Sequence, residues 1–415
     1  MENIEKAYGI ARERYAAIGV DTEKAIGQLS NIPLSLHCWQ ADDVSGFENP
    51  DGQLSGGIQA TGNYPGKAHT VEQLQQDILE ATSLIPGHNR LNLHAIYGDF
   101  GGKKVDRDQI EPKHFQGWME WGKEHGMKLD FNSTSFSHPK SGMLSLANPD
   151  KGIRDFWIEH TKRCRAISQA MGEYQDDPCI MNLWIHDGSK DQTVNRLYYR
   201  QLLEDSLDRI FEKKYDMMKD CIEAKLFGIG AEYYTVGSYD FYLGYGVKNQ
   251  KIVTLDTGHF HLTESIADKI SCLLLFTPEI MLHVSRPIRW DSDHVVIIND
   301  DILDLCKEIV RCDAIGRVHI GLDYFDASIN RIGAYVIGSR ATQKCLLLAL
   351  LEPLKKLREY ESNEQNFQRL ALLEEAKSLP WGAVWDEFCL RAGVPVGETF
   401  IPVIERYERE MTSKR

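Results

Sequence analysis

The chain has 415 residues, 42% hydrophobic and 26% charged, the balance of a globular protein with one large core. Its 61 acidic against 47 basic side chains leave a formal net charge of −14, and no Lys/Arg cluster interleaved with aromatics offsets it, so no nucleic-acid partner is expected. No apolar run is long enough to cross a bilayer, and nine scattered cysteines form no CxxC, so the expectation is a cytoplasmic protein with reduced thiols and no membrane partner.

Residues 1–30 read as an N-terminal helical extension. Short runs rich in Val, Ile, Leu and Phe then recur at 32–39, 91–96, 129–132, 180–185, 221–223, 252–256, 280–284 and 318–323. Amphipathic segments at 71–84, 112–125, 152–171, 198–216, 263–274 and 302–312 lie between them. This alternation is that of βα units feeding a parallel sheet. Eight such runs predict an α/β fold, a (β/α)8 TIM barrel over 31–330, with a doubly wound open sheet as runner-up. Residues 52–66, with glycines at 52, 56, 57, 62 and 66, form a loop expected to cover an active site. Beyond 330, the stretches 332–358, 363–376 and 385–391 look helical with no strand between them. They predict a C-terminal helical region, 331–415, outside the barrel, either covering its N-terminal face or making subunit contacts.

The chemistry concentrates between Cys221 and Asp323. Glu223 and Lys225 form Glu-x-Lys, Asp256 and His259 form Asp-x-x-His, His283 ends an apolar run, Asp291 and Asp293 form Asp-x-Asp, and Asp323 ends the last run. Each has an ordinary explanation alone: a surface salt bridge for Glu-x-Lys, a satisfied core histidine for His283, pairing with Arg286 or Arg289 for the Asp-x-Asp loop. Together they place ligand-type side chains at four successive strand ends, on the face where a barrel collects its catalytic groups. Carboxylates with a minority of imidazoles suit Mn²⁺, Mg²⁺ or Co²⁺, and seven ligands exceed one ion's needs, so two ions are expected. One would be held by Glu223, Asp256, His283 and Asp323, the other by His259, Asp291 and Asp293 with Asp256 near both. Trp39, Trp184 and the loop around Ile58 are candidates to grip a substrate. A metal-dependent barrel hydrolase or endonuclease would use the same ligands to activate water, and a protein that merely binds metal would not need Lys225.

In this order the motifs resemble the metal sites of the xylose isomerase-like barrels. The phrases at 35–48 (Ser-Leu-His-Cys-Trp-Gln-Ala-Asp-Asp-Val-Ser-Gly-Phe-Glu), 56–67, 91–97, 283–294 (His-Val-Ser-Arg-Pro-Ile-Arg-Trp-Asp-Ser-Asp-His) and 319–331 are similar to the bacterial L-rhamnose isomerase family, nearly end to end. The resemblance implies interconversion of L-rhamnose and L-rhamnulose by ring opening and a 1,2-hydride shift, in a cytoplasmic homotetramer with two divalent ions, typically Mn²⁺, per subunit. It makes Glu223, Asp256, His283 and Asp323 structural-metal ligands and His259, Asp291 and Asp293 catalytic-metal ligands. It also sets Lys225 near the substrate O1, and implies that His94, with Asp323 and water, assists ring opening.

Overall fold

A computed structural model describes residues 2–48, 58, 62–228 and 230–415. Among these, eight parallel strands close into a barrel: β1 Leu34–His37, β2 Asn89–His94, β3 Lys128–Asn132, β4 Cys179–Trp184, β5 Met218–Glu223, β6 Ile252–Asp256, β7 Ile280–Val284 and β8 Val318–Leu322. Strand β8 pairs with β1 through Leu34 and Ile320, which completes the ring and excludes the open sheet. Strand β5 starts three residues before its apolar run because Met218, Lys219 and Asp220 pair in register with Cys179, Ile180 and Met181. Its polar residues are tolerated there because Lys219 pairs with Glu279, and Asp220 with Arg165 and Lys251.

The helices are, in order, α1 Glu2–Ala16, α2 Thr22–Ser30, α3 Val71–Thr82, α4 Gln116–Glu124, α5 Lys151–Gln175, α6 Arg196–Ile210, α7 Tyr239–Asn249, α8 Ala267–Leu273, α9 Asp300–Arg311, α10 Arg331–Leu350, α11 Leu354–Ser362, α12 Asn366–Ala376, α13 Trp381–Arg391 and α14 Ile401–Glu410. Side-chain caps fix several starts: Asp150 accepts from Gly152 and Ile153 at α5, and Asn299 from Ile302 at α9. Helix α7 escapes the periodicity reading because it is tyrosine-rich with glycines inside. Gly246 is needed there, since a Cβ would lie 2.7 Å from Val253 Cγ2 on β6.

Helix α10 departs from the expectation that everything beyond 330 lies outside the barrel. It packs against α9, α2, α3 and β1 as the helix that follows β8. Its apolar residues are not confined to one side, and most of its residues, Arg331, Arg340 and Gln343 among them, are buried, as for a helix enclosed by neighbours rather than laid on a surface. The glycine-rich 52–66 stretch falls largely outside the described residues. No described helix is long and apolar enough to cross a membrane.

Candidate active site

All eight strands deliver a side chain to the same end of the barrel. His37, His94, Asn132, Trp184, Glu223 and Asp256 are the last residues of β1 to β6, His283 is the penultimate residue of β7, and Asp323 directly follows β8. Period-two alternation fixes this: with every second residue turned inward, a strand's final inward position reaches the mouth. One step deeper, Asn182 donates to the Glu223 carboxylate and accepts from Thr254 Oγ1 at 2.8 Å, so Glu223 is oriented from below. Asn132 Nδ2 donates to Asn92 Oδ1 at 2.5 Å on the opposite wall.

Glu223, Asp256, His283 and Asp323, all buried, each offer one ligand atom within 4.8 Å of the others. His283 Nδ1 lies 3.1 Å from Glu223 Oε2 and 3.0 Å from Asp323 Oδ2. A second group gathers Asp256, His259 and Asp291 within the same distance, with His259 Nε2 3.0 Å from Asp291 Oδ2. Asp293 lines the same cavity without entering that tighter group. It is aimed there by left-handed backbone, φ 43 at Asp293 and 68 at Arg289, the kind of strain that collects at functional sites. Asp291 pairs with His259 rather than an arginine, while Arg286 Nε donates to Val295 O.

These groups fit a divalent cation. Asp256 Oδ2, Asp291 Oδ1 and His283 Nε2 are buried without a hydrogen-bond partner. Native interiors rarely leave so many polar atoms unsatisfied in one place. Burial, and the nearby Glu223, Asp291 and Asp323 charges, push the Asp256 carboxyl well above its usual range despite the opposing His259. Asp293 is raised by burial and by Asp291 and Asp323. Burial would depress His283, but Glu223 and Asp323 raise it well above its ordinary value. Crowded carboxylates that resist ionising together are what a cation relieves.

Lys225 is buried, with Nζ 4.6 Å from the centroid of the Trp184 ring. Burial lowers its pKa to about 8 against the pull of Asp291, Asp293 and Glu223. Its main-chain N–H is held by Gly237 O at 3.1 Å. Trp39 stacks on His37 at 3.9 Å and on His94 at 4.1 Å, and Trp39, Trp184 and Ile58 all line the cavity.

His37, Phe136, Phe325, Asn182 and Gly258 belong to this site without having been singled out in the sequence. His37 stands between His94 and Asp323, its Nε2 3.4 Å from His94 Nε2 and 3.2 Å from Asp323 Oδ1. Burial holds His37 and His94 as neutral rings, each well below the usual imidazole range; His94 and His283 add to the lowering at His37, and His283 and Arg107 to that at His94 against the pull of Glu223. The signal for His37 is a polar side chain at an inward position of the first apolar run, alternating with Leu34 and Leu36. Phe136 packs its ring 5.8 Å from Trp184 and 6.3 Å from both Trp39 and His94, and no strand-end rule points to it. Gly258 allows Asp-x-x-His to close, since a Cβ there would fall 2.2 Å from Asp291 Oδ1.

A closed parallel barrel with buried carboxylates, imidazoles and one lysine at its C-terminal mouth defines a barrel enzyme with a candidate metal centre. The family model described as L-rhamnose isomerase (RhaA) matches residues 2–415. Curated relatives named L-rhamnose isomerase include that of Bacteroides thetaiotaomicron, 72% identical over 414 residues, covering 100% of this chain and 99% of the relative. That of Listeria innocua is 54% identical over 415 residues, with 99% of each chain covered, and that of Rhodopirellula baltica is 52% identical over 416 residues, covering 100% and 97%. The chain belongs to the L-rhamnose isomerase family.

Proposed function

We propose that the chain interconverts L-rhamnose and L-rhamnulose as the first step of L-rhamnose catabolism, in the cytoplasm, using two divalent ions per subunit, Mn²⁺ foremost with Co²⁺ or Mg²⁺ as substitutes. The observation that carries this is the family match along the whole chain, joined to the two carboxylate-imidazole groups sharing Asp256. Glu223, Asp256, His283 and Asp323 would hold the structural ion, and His259, Asp291 and Asp293 the catalytic one. Bound there, the ions polarise neighbouring oxygens of the sugar.

The chain's own groups divide the remaining work. Ring opening needs a proton moved between the anomeric hydroxyl and the ring oxygen, a task for His94 and Asp323 through water, with neutral His37 between them. In the open chain, hydrogen passes from C2 to C1 as a hydride and the O2 proton passes to O1, leaving the ketone at C2. Lys225 donates to O1 as negative charge gathers on it. Four carboxylates, Glu223, Asp291, Asp293 and Asp323, line the cavity with Asp256 behind them; with Asp293 completing the second ligand set, none would be left free to act as a base at C2. Trp39, Trp184 and Ile58 supply an apolar wall suited to a 6-deoxy sugar.

The chain would assemble as a homotetramer. Exposed apolar side chains support this: Leu275 and Phe276 after α8 at 80% and 58%, Phe367 and Leu370 on α12 at 80% and 60%. Sedimentation at micromolar protein should return four chains, and a monomer would contradict it. The activity is tested by stripping the protein with EDTA, reloading Mn²⁺, Co²⁺ or Mg²⁺ and measuring ketose formed from L-rhamnose. Ketose is expected with Mn²⁺, and none with any of the three overturns the assignment.

A further inference from the structure

Between β1 and α3 the chain passes Trp39, Ile58 and Tyr64, and both Trp39 and Ile58 line the cavity. The outgoing limb is strained. Asp43 and Val44 stand at φ 57 and 62, left-handed backbone that is unfavourable for L-residues and most so for a β-branched one. Such backbone persists only where its surroundings overdetermine it. Asp42, fully buried, accepts from Gly46 N at 2.7 Å and from the Tyr97 hydroxyl at 2.5 Å. Asp43 accepts two bonds from the Arg331 guanidinium, at 2.5 and 2.9 Å.

That guanidinium also reaches the returning limb, where Arg331 Nη2 donates to Tyr64 O at 2.6 Å. Tyr64 is seated further by its N–H on Ala327 O at 2.7 Å and its hydroxyl on Glu408 Oε1 at 2.5 Å. Arg331 is 3% exposed and opens α10, whose position is set by the barrel itself. A second tie holds Trp39's own turn: Gln40 Oε1 accepts from Asp326 N at 2.8 Å, and Gln40 Nε2 donates to Asp326 O at 3.2 Å.

We propose that Arg331 is a positioning residue for sugar binding: its planar fork pins both limbs, so that Trp39 and Ile58 present the apolar wall of the pocket together. This rests on the isomerase reading above. A lysine keeps the charge but cannot bridge a carboxylate and a carbonyl with one rigid group. Asp43→Asn offers a gentler break, because asparagine tolerates the left-handed backbone while losing the ion pair.

The test measures Arg331→Gln, Arg331→Lys and Asp43→Asn as Mn²⁺-loaded full-length protein. Amide hydrogen exchange over 40–48 and 62–66 should accelerate in all three, least in Arg331→Lys. KM for L-rhamnose should rise about tenfold in Arg331→Gln and Asp43→Asn, with kcat within about threefold and Mn²⁺ binding unchanged. Unchanged exchange in Asp43→Asn, or faster exchange with an unaltered KM, overturns the proposal. A fall in kcat at constant KM does so too. A wild type that exchanges as expected but makes no ketose fails the isomerase reading instead, with the exchange comparison still judging the Arg331 bridge.

Discussion

Asp256 and His283 are register partners across β6 and β7, so the backbone ladder itself sets two members of the candidate metal centre side by side. Asp256 also belongs to the group with His259 and Asp291, which makes it the hinge between the two groups. Without a cation its carboxylate is buried beside three others and held well above its usual pKa.

Asp256→Asn should therefore have opposite effects with and without metal. In EDTA its Tm is expected to equal or exceed that of the wild type, because a buried like-charge conflict is removed. With Mn²⁺ the wild type should gain about 2.7 kcal/mol of stability for each site held at a hundredfold excess over its Kd, and the variant little or nothing. Thermal scans across a Mn²⁺ series check both halves.

Gly258→Ala places a methyl against Asp291 Oδ1 and 3.2 Å from Asp256 Oδ1. The carboxylate must move, so the group with His259 should lose affinity by about tenfold or more while the group around His283 keeps its ion. Calorimetric titration should fall from two Mn²⁺ per chain toward one. Two tight sites in the variant would contradict this.

Lys225→Met removes a buried donor while keeping its length. Turnover should fall by about 10² to 10³ with Mn²⁺ stoichiometry intact, the size seen when one donor to a developing oxyanion is lost. Steady-state kinetics with parallel calorimetry separates this from a damaged metal site.

How much of this is legible in the sequence depends on periodicity. Glu223, Asp256, His283 and Asp323 converge because each ends a short apolar run, and period-two alternation converts that spacing into a shared face. Their grouping needs no side-chain detail. Phe136 is different: it packs behind Trp39, His94 and Trp184 through a turn held by Arg107, which donates to Thr134 O at 2.8 Å and to Phe136 O. A contact made by a distant buried arginine leaves no local pattern. Likewise α10 reads as tail because no ninth strand follows it, although apolar residues spread around its circumference are the mark of a helix enclosed in the barrel's outer ring. His37 ends β1 as His94 ends β2, but the apolar runs read as 32–39 and 91–96 carry past both residues and hide where the strands stop.

His160 gives the fold a pH signature away from the metal groups. Its Nε2 accepts from Thr134 N and its Nδ1 donates to Arg107 O, both at 3.0 Å, which fixes a neutral ring. Burial pulls its pKa down to about 3, only partly opposed by the bond to Arg107 O. The unfolded chain takes up this proton near pH 6.5 and the folded one does not. The stability His160 contributes is therefore complete above pH 6.5 and is lost as pH falls toward 3, by about 1.4 kcal/mol per pH unit at most. His160→Gln keeps an acceptor and a donor without titrating, so its Tm should fall less steeply than the wild type's across that window.

On the proposed assignment Asp293 completes the second cation group, no cavity carboxylate is left to serve as a base, and hydrogen crosses from C2 to C1 inside the sugar. Conversion of L-rhamnose by the Mn²⁺-loaded protein in D₂O, with the product read by NMR, tests it most directly. The L-rhamnulose formed should carry no solvent deuterium at C1. Deuterium at C1 from the first turnovers would contradict it, since a protein base would then have exchanged the proton with water.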